Sequence, residues 1–367
     1  MFLSYIKNIF FTTITTITIV IVVNYFVDPG AIYSRSGDKF PKEYAKSLTK
    51  SDNGLYWSSE TVSGRDLTVS LSSYIGSVDC VIIGSSHVMQ ISNYGNHKSL
   101  NEVCNSILNL AVSGGGIEDH LVLTYLAIKN GSPKKIILGV DAWTLTQKSN
   151  SIGSRVESSD KYFANYKAAQ IEILKSIQKS NVDFIKYLNL INLEYFVKSV
   201  SLLWKQINGE DSLKRITNVK EKIDAIKGVK NAVKLPDGSL VYPSAYIDKT
   251  KENAIPKEYF YYKNRTGNTI SNSYSINIYN QILSYIIKSG VEPIILLTPY
   301  HKNLWKFKGS SIVSSISKNE EVIKKIGSSL GISVLGSYDP VKLGCENHEF
   351  YDFQHATREC LTRITKE

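Results

Sequence analysis

The sequence predicts an α/β fold: one doubly wound, five-stranded parallel sheet, interrupted by a helical insertion and preceded by a transmembrane helix. Three observations carry that reading. Apolar runs of strand length alternate with helical periodicities on both sides of the chain's centre. A long tract between them breaks the rhythm. An uncharged apolar stretch opens the chain.

That stretch, Asn8 to Val27, is dominated by Ile, Val, Phe and Thr. It matches the ~20 residues a helix needs to cross a bilayer. Thr12, Thr13, Thr15, Thr16 and Thr18 dilute its apolarity, but a helix can return their hydroxyls to its own carbonyls. No small-x-small cleavage site follows in Tyr25-Phe26-Val27-Asp28-Pro29, so residues 1–30 read as an uncleaved anchor. Lys7 precedes the span, while Arg35, Lys39, Lys42 and Lys46 follow it, a count that does not favour an outside C-terminus. Long domains translocate largely regardless of such counts. The reading is a single-pass protein of a bacterial inner membrane with its domain in the periplasm.

Residues 31–75 read as an irregular linker or pre-domain segment, with turn signals at Asp28-Pro29-Gly30 and Asp52-Asn53-Gly54. The α/β domain, residues 76–367, opens with a strand from Val78 to Gly84. A second strand, Ser106 to Val112, leads into Gly114-Gly115-Gly116. A helix from Ile117 to Lys129 follows, burying Leu121, Leu123, Tyr125, Leu126 and Ile128, and then a strand from Lys135 to Asp141. Strand, helix and strand in this rhythm imply right-handed crossovers and a parallel sheet covered on both faces.

An insertion at about 150–270 comes next. Tyr162 to Lys205 and Leu213 to Val229 read as helical. Leu235 to Tyr242 reads as a hairpin, because Asp237-Gly238 supplies the positive φ that a tight turn demands. The rhythm resumes with a helix from Ser275 to Lys288, a strand from Pro293 to Thr298, a helix from Lys318 to Leu330 and a strand from Ile332 to Leu335. In open sheets of this kind ligands bind beyond the carboxyl ends of the strands. Ser86, Gly114, Asp141 and the segment Thr298-Pro299-Tyr300-His301 all follow strands there.

The net charge of +10 invites a nucleic-acid reading. The lysines are spread along polar helix faces without a dense run, which points instead to solvated surface with some attraction for anionic lipid or acidic glycan. Cys345 and Cys360 flank the tail, where a bridge would pin the loop between them; Cys80 and Cys104 offer a second pair. Four cysteines allow three connectivities, and buried free thiols are the alternative. His97, His120 and His348 have no ligand-like spacing, and no Cys/His cluster argues for zinc or any other metal.

The chemistry concentrates in two short stretches. Gly84-Ser85-Ser86-His87 follows the first strand, and Asp352-Phe353-Gln354-His355 lies near the tail. A serine hydroxyl needs a base within hydrogen-bond reach, and that base needs a partner to fix its tautomer. Ser86, His355 and Asp352 supply those roles if the fold brings the ends together. The competing readings are structural: Ser86 as a helix cap, Asp352 as a turn residue, Gly114 as a tight turn. Of Trp57, Trp143, Trp204 and Trp305, Trp143 and Trp305 follow strands and are the better candidates to stack on a sugar. His301 can line the same cleft, and His87 reads as structural or substrate-contacting.

In these blocks the chain resembles the SGNH, or GDSL-like, hydrolase superfamily over roughly residues 78–145 and 290–360. Gly84-Ser85-Ser86 is similar to its nucleophile turn, Asn109-Leu110-Ala111-Val112-Ser113-Gly114 to its second block, and Asp352 with His355 to its last. The resemblance implies a flavodoxin-like sheet, catalysis by Ser86, His355 and Asp352, and an oxyanion hole from Ser86 and Gly114. It departs at Asp141, which stands where the family has an amide-donating asparagine. An ionised carboxylate cannot donate there; Asp141 then contacts substrate or backbone instead. The anchor makes the chain look like the envelope branch, which modifies polysaccharides by O-acetylation. That implies a periplasmic serine acyltransferase or esterase acting on an envelope glycan, with a membrane partner delivering the acyl group and no cofactor. The alternative it leaves is a non-catalytic glycan-binding or assembly subunit.

Overall fold

A computed structural model describes residues 2–27, 39–58, 62–76, 78–94, 100–146, 160–175, 187–188, 190–208, 216–223, 229–252, 271–307 and 311–364. The chain opens with helix α1 (Phe2–Val27). From Ser4 to Val27 it is long and apolar enough to cross a membrane. Its threonines behave as expected: the hydroxyls of Thr12, Thr16 and Thr18 donate to the carbonyls of Asn8, Thr12 and Ile14 at 2.8, 2.9 and 2.8 Å.

Segment 31–75, expected to be irregular, instead carries helices α2 (Lys39–Thr49) and α3 (Gly64–Leu71) around a short strand β1 (Leu55–Tyr56). Tyr44, Leu48, Leu67 and Leu71 from these helices are fully buried in the same core as the main sheet. The helical stripe of apolar residues was present but short, and the turn signals around it masked it.

The main sheet consists of β2 (Cys80–Ile83), β3 (Ile107–Asn109), β4 (Lys135–Gly139), β7 (Glu292–Leu297) and β8 (Ser333–Gly336). Two further strands, β5 (Val233–Lys234) and β6 (Leu240–Val241), join β1 in a small antiparallel sheet of order β1-β5-β6. The order of the main sheet is β3-β2-β4-β7-β8, with every pairing parallel. Each expected strand is found, shortened or shifted by a residue or more at its ends. Side chains alternate cleanly. Val81, Ile83, Ile136, Leu138, Ile295 and Leu297 point into one core, and Cys80, Ile82, Ile137, Ile294 and Leu296 into the other. Each such fully buried aliphatic side chain contributes about 1.5–3 kcal/mol.

The two faces are covered differently. The first packs against α4 (Ile117–Asn130), α5 (Asp160–Leu174), α8 (Ser273–Lys288) and α9 (Ser311–Leu330). Two other helices, α6 (Leu193–Ile207) and α7 (Ser244–Glu252), belong to the insertion. The second face has no long helix among the described residues. It is closed by Met89, Ile91, Leu100, Leu240, Phe350 and Leu361, and by both cysteine pairs. Topology explains this. The step from β2 to β3 runs opposite to all later steps, so right-handed crossovers put it alone on that face, and the described residues of its 23-residue connection, 84–94 and 100–106, form turns and one 3₁₀ turn.

Both expected cysteine pairs are bridged, Cys80 to Cys104 and Cys345 to Cys360. Within the insertion, the Asp-Gly hairpin forms, with Gly238 at φ +79°. The long helix expected from Tyr162 to Lys205 is not continuous: α5 ends at Leu174 and α6 begins at Leu193, while residues 176–186 and 189 lie outside the described residues. The helix expected from Leu213 to Val229 is absent over residues 216–223, where Asn218 bridges to Leu55 instead; residues 213–215 and 224–228 lie outside the described residues.

Candidate active site

Strand β2 ends at Gly84, where the chain must pass unusually close to its neighbours. A Cβ there would sit 2.8 Å from the Gly139 carbonyl oxygen and 2.7 Å from the Val88 side chain. Ser85 caps the turn that follows, accepting from the His87 amide at 3.2 Å. The turn itself is one 3₁₀ turn, Ser86–Val88, rather than the start of a longer helix. Ser86 is its first residue and remains partly exposed, while Ser85 and His87 on either side are buried.

Ser86 Oγ lies 2.8 Å from Nε2 of His355, across 269 residues of sequence. On the other side of the imidazole, Nδ1 lies 2.7 Å from Oδ2 of Asp352. The second carboxylate oxygen, Oδ1, accepts the backbone amides of Gln354 and His355, each at 2.8 Å. Burial opposes ionisation of Asp352, but the His355 ring, the Gln354 amide and the Tyr246 hydroxyl outweigh it and hold the carboxyl well below its ordinary range. The aspartate is therefore a fixed negative charge facing the ring. It selects the tautomer in which Nδ1 carries the proton and Nε2 is free to accept one from Ser86.

Tyr246, from α7 in the insertion, was not singled out in the sequence. Its hydroxyl donates to Asp352 Oδ2 at 2.8 Å and lies 3.4 Å from His355 Nδ1. Its ring stacks on Tyr242 with centroids 5.0 Å apart, and Tyr351 packs against both. Spacing of Tyr242 and Tyr246 four apart at a helix start was the available signal. Gln90 was missed as well. Its side chain donates to the Ala356 carbonyl at 2.6 Å and accepts from the Tyr351 hydroxyl, tying the serine segment to the histidine loop. The loop is braced from the other side by the His301 amide, which donates to the Phe353 carbonyl at 2.8 Å.

The second block serves the serine turn directly. The Asn109 side chain donates to the Val88 and Ile91 carbonyls at 2.8 and 2.9 Å, holding the chain just after Ser86. The Val112 amide donates to the Gly84 carbonyl at 3.0 Å. Gly115 approaches so closely that a Cβ would lie 2.6 Å from the Gly84 carbonyl oxygen. Gly114 sits between them at φ +61°, with open space where a side chain would project.

Asp141 is buried behind the serine rather than open to the cleft. Its Oδ1 lies 3.1 Å from Nδ1 of His87. Burial pushes the Asp141 carboxyl up to about 7, opposed by a hydrogen bond with the Ser85 side chain. Burial also drives the His87 imidazole well below its ordinary range, and the nearby His355 adds to this against Asp352 and Gln354. Both shifts favour the uncharged forms, so one carboxylic proton can bridge the pair. The His87 ring then packs edge-on against Trp143 at 4.8 Å and His355 at 5.0 Å. Trp143 thus meets the site through His87. His301 is only 5 % exposed, with its ring on Phe350 and its Nδ1 accepting from the Asn303 amide. Burial lowers its pKa as well.

Among the described residues no group of three or more His, Cys, Asp or Glu side chains is arranged to hold a metal ion. Set beside known proteins, the chain matches no family model and no curated protein. The arrangement can activate a hydroxyl and hold the resulting imidazolium.

Proposed function

We propose that this chain is a membrane-anchored serine acyltransferase or esterase of the SGNH type, acting on acyl (acetyl in the simplest case) esters of an envelope glycan. The hydrogen-bonded series Ser86–His355–Asp352 carries the reading, since distant parts of the chain meet at 2.8 Å between Ser86 and His355, with Asp352 2.7 Å from the other ring nitrogen, in the geometry nucleophilic catalysis requires. Support also comes from α1, which suits an anchor, and from two disulfides, which suit an oxidising compartment such as the periplasm.

In this reading Ser86 Oγ attacks the acyl carbonyl carbon while its proton passes to His355 Nε2. Asp352 stabilises the imidazolium that forms. The backbone amides of Ser86 and Gly114 receive the negative charge on the carbonyl oxygen. Collapse breaks the ester bond, and His355 returns the proton to the departing oxygen, leaving an acyl-serine. A glycan hydroxyl, or water, then repeats the sequence in reverse. The acyl donor comes from a membrane partner, because cytoplasmic activated esters do not reach this side.

Asp141 favours a second reading, a glycan-binding or assembly subunit without turnover, because its carboxyl is engaged with His87 and supplies no amide to the oxyanion. Hydrolysis of a small aryl acetate separates the two. The catalytic reading expects a rate that falls by at least about 10³-fold in both Ser86→Ala and His355→Ala. An equal, slow rate in all three proteins would leave only the binding subunit.

A further inference from the structure

Helix α6 carries a feature that the catalytic reading does not use. Leu193, Val197, Val200, Trp204 and Ile207 are spaced alternately four and three apart and form one continuous stripe, and every one is exposed. Trp204 and Ile207 are exposed by 66 % and 71 %. Tyr187, Leu188 and Ile191 extend the exposed apolar surface at the helix's N-terminal end. A stripe of this size on a water-facing helix is costly and calls for a cover.

The other faces of α6 are accounted for. Buried Ser199 donates to the Asn24 side-chain oxygen at 3.1 Å, and the Asn24 amide donates to the carbonyls of Leu190 and Asn192 at 2.9 and 3.3 Å. The exposed Glu194 and Lys198 pair with each other at 2.7 Å. One side of α6 therefore grips α1, a second is polar, and the stripe faces away from both.

The grip lies near the end of α1. Its residues 4–19 are exposed throughout, and burial begins only at Val20. At about 1.5 Å per residue, Asn8–Val27 fills the ~30 Å hydrocarbon core, so the last turn of α1, with Asn24, reaches the edge of the core. Helix α6 is fastened there, beside the exposed Val22 and Phe26 of α1, instead of running down the span.

We propose that α6 and the turn before it form a second membrane attachment, with the apolar stripe immersed in the interfacial lipid of the bilayer that α1 crosses. The surface suits lipid because it lies on a helix fastened to the end of α1, close to the exposed apolar Val22 and Phe26, and is bordered by the charged Glu194 and Lys198. Aromatic Tyr187 and Trp204 match the headgroup level, where such rings concentrate. This rests on reading α1 as a membrane span. Its consequence is that the α/β domain has a fixed orientation over the membrane, instead of hanging from a single tether.

The test uses the full chain in phosphatidylcholine–phosphatidylglycerol vesicles. An environment-sensitive label is placed in turn at Val197→Cys, Trp204→Cys, Ile17→Cys in α1, and exposed Lys288→Cys as a control. The expected result is blue-shifted emission at 197 and 204, with quenching by a shallow lipid spin label at least about threefold stronger than at 288. Quenching at 17 by a deep label verifies the span. Labels at 197 and 204 that match 288 while 17 is quenched overturn the attachment and leave the anchor standing. Blue-shifted emission without lipid quenching also overturns it, and shows that protein covers the stripe. If 17 is not quenched, the anchor fails and the attachment with it.

Discussion

At the scale of single residues, the site separates into groups that face the cleft and groups that hold them. In the proposed reaction His355 receives the serine proton, and Asp352 fixes which ring nitrogen can do so. Asp352→Asn would keep the shape but favour the wrong tautomer, so the hydrolytic rate should fall by about 10⁴-fold with folding intact, measured by kcat and near-ultraviolet dichroism. Tyr246→Phe removes one donor to the same carboxylate and should cost about tenfold in kcat. Asp141 and His87 give a different signature. A carboxyl raised to about 7 keeps a proton in the folded state that the unfolded chain has released, so it lowers stability as pH rises from about 4 to 7. A depressed His87 does the opposite: the unfolded imidazole binds a proton below about 6.5 that the folded one refuses. In the wild type these slopes oppose each other. Asp141→Asn leaves the histidine slope alone, so the variant should lose more Tm than wild type between pH 7.5 and 5, by the equivalent of about 2–3 kcal/mol. Parallel Tm profiles would show that the pair does not titrate as described. Ser86, His355 and Asp352 were legible in the sequence because each stands in a short block beside a recognisable strand end or tail. Tyr246 and Gln90 were not, because their roles come from contacts 106 and 266 residues away.

Among the elements, the five strands were readable because buried parallel strands are nearly continuous apolar runs, as in Cys80-Val81-Ile82-Ile83 and Pro293-Ile294-Ile295-Leu296-Leu297. Helices α2 and α3 were not, since both are short and polar residues interrupt their buried faces. The insertion misled for another reason. Residues 216–223 are polar enough to read as a surface helix, yet they are held extended by Leu55 and Tyr56 from far upstream. The same insertion supplies the hairpin whose Leu240 amide donates to the Met89 carbonyl at 2.7 Å, so it supports the serine segment. The tail loop depends on its disulfide. Cys345 and Cys360, 15 residues apart, enclose both Asp352 and His355. Replacing both by Ser should cost about 3 kcal/mol of stability and reduce hydrolysis more than the corresponding change at Cys80 and Cys104. Thermal melts and rates for the two double variants check this; equal rates would mean the loop keeps its geometry unaided.

For the whole molecule, the strand order dictates the architecture of the site. The order reverses between β2 and β4, and the segments that follow these two strands carry Ser86 and Asp141. The crevice opened by that reversal is where ligands bind in sheets of this kind. Because only one crossover lies on the second face, the last residues of the chain are free to close it, and in doing so they bring the imidazole to the hydroxyl. The nucleophile's reactivity is therefore the most direct test of the account. Treating the intact chain with a fluorophosphonate and mapping the adduct by mass spectrometry should find the phosphonyl group on Ser86, with labelling abolished in Ser86→Ala and strongly slowed in His355→Ala. An intact chain that takes up no label, or a Ser86→Ala variant that labels as wild type does, would contradict it.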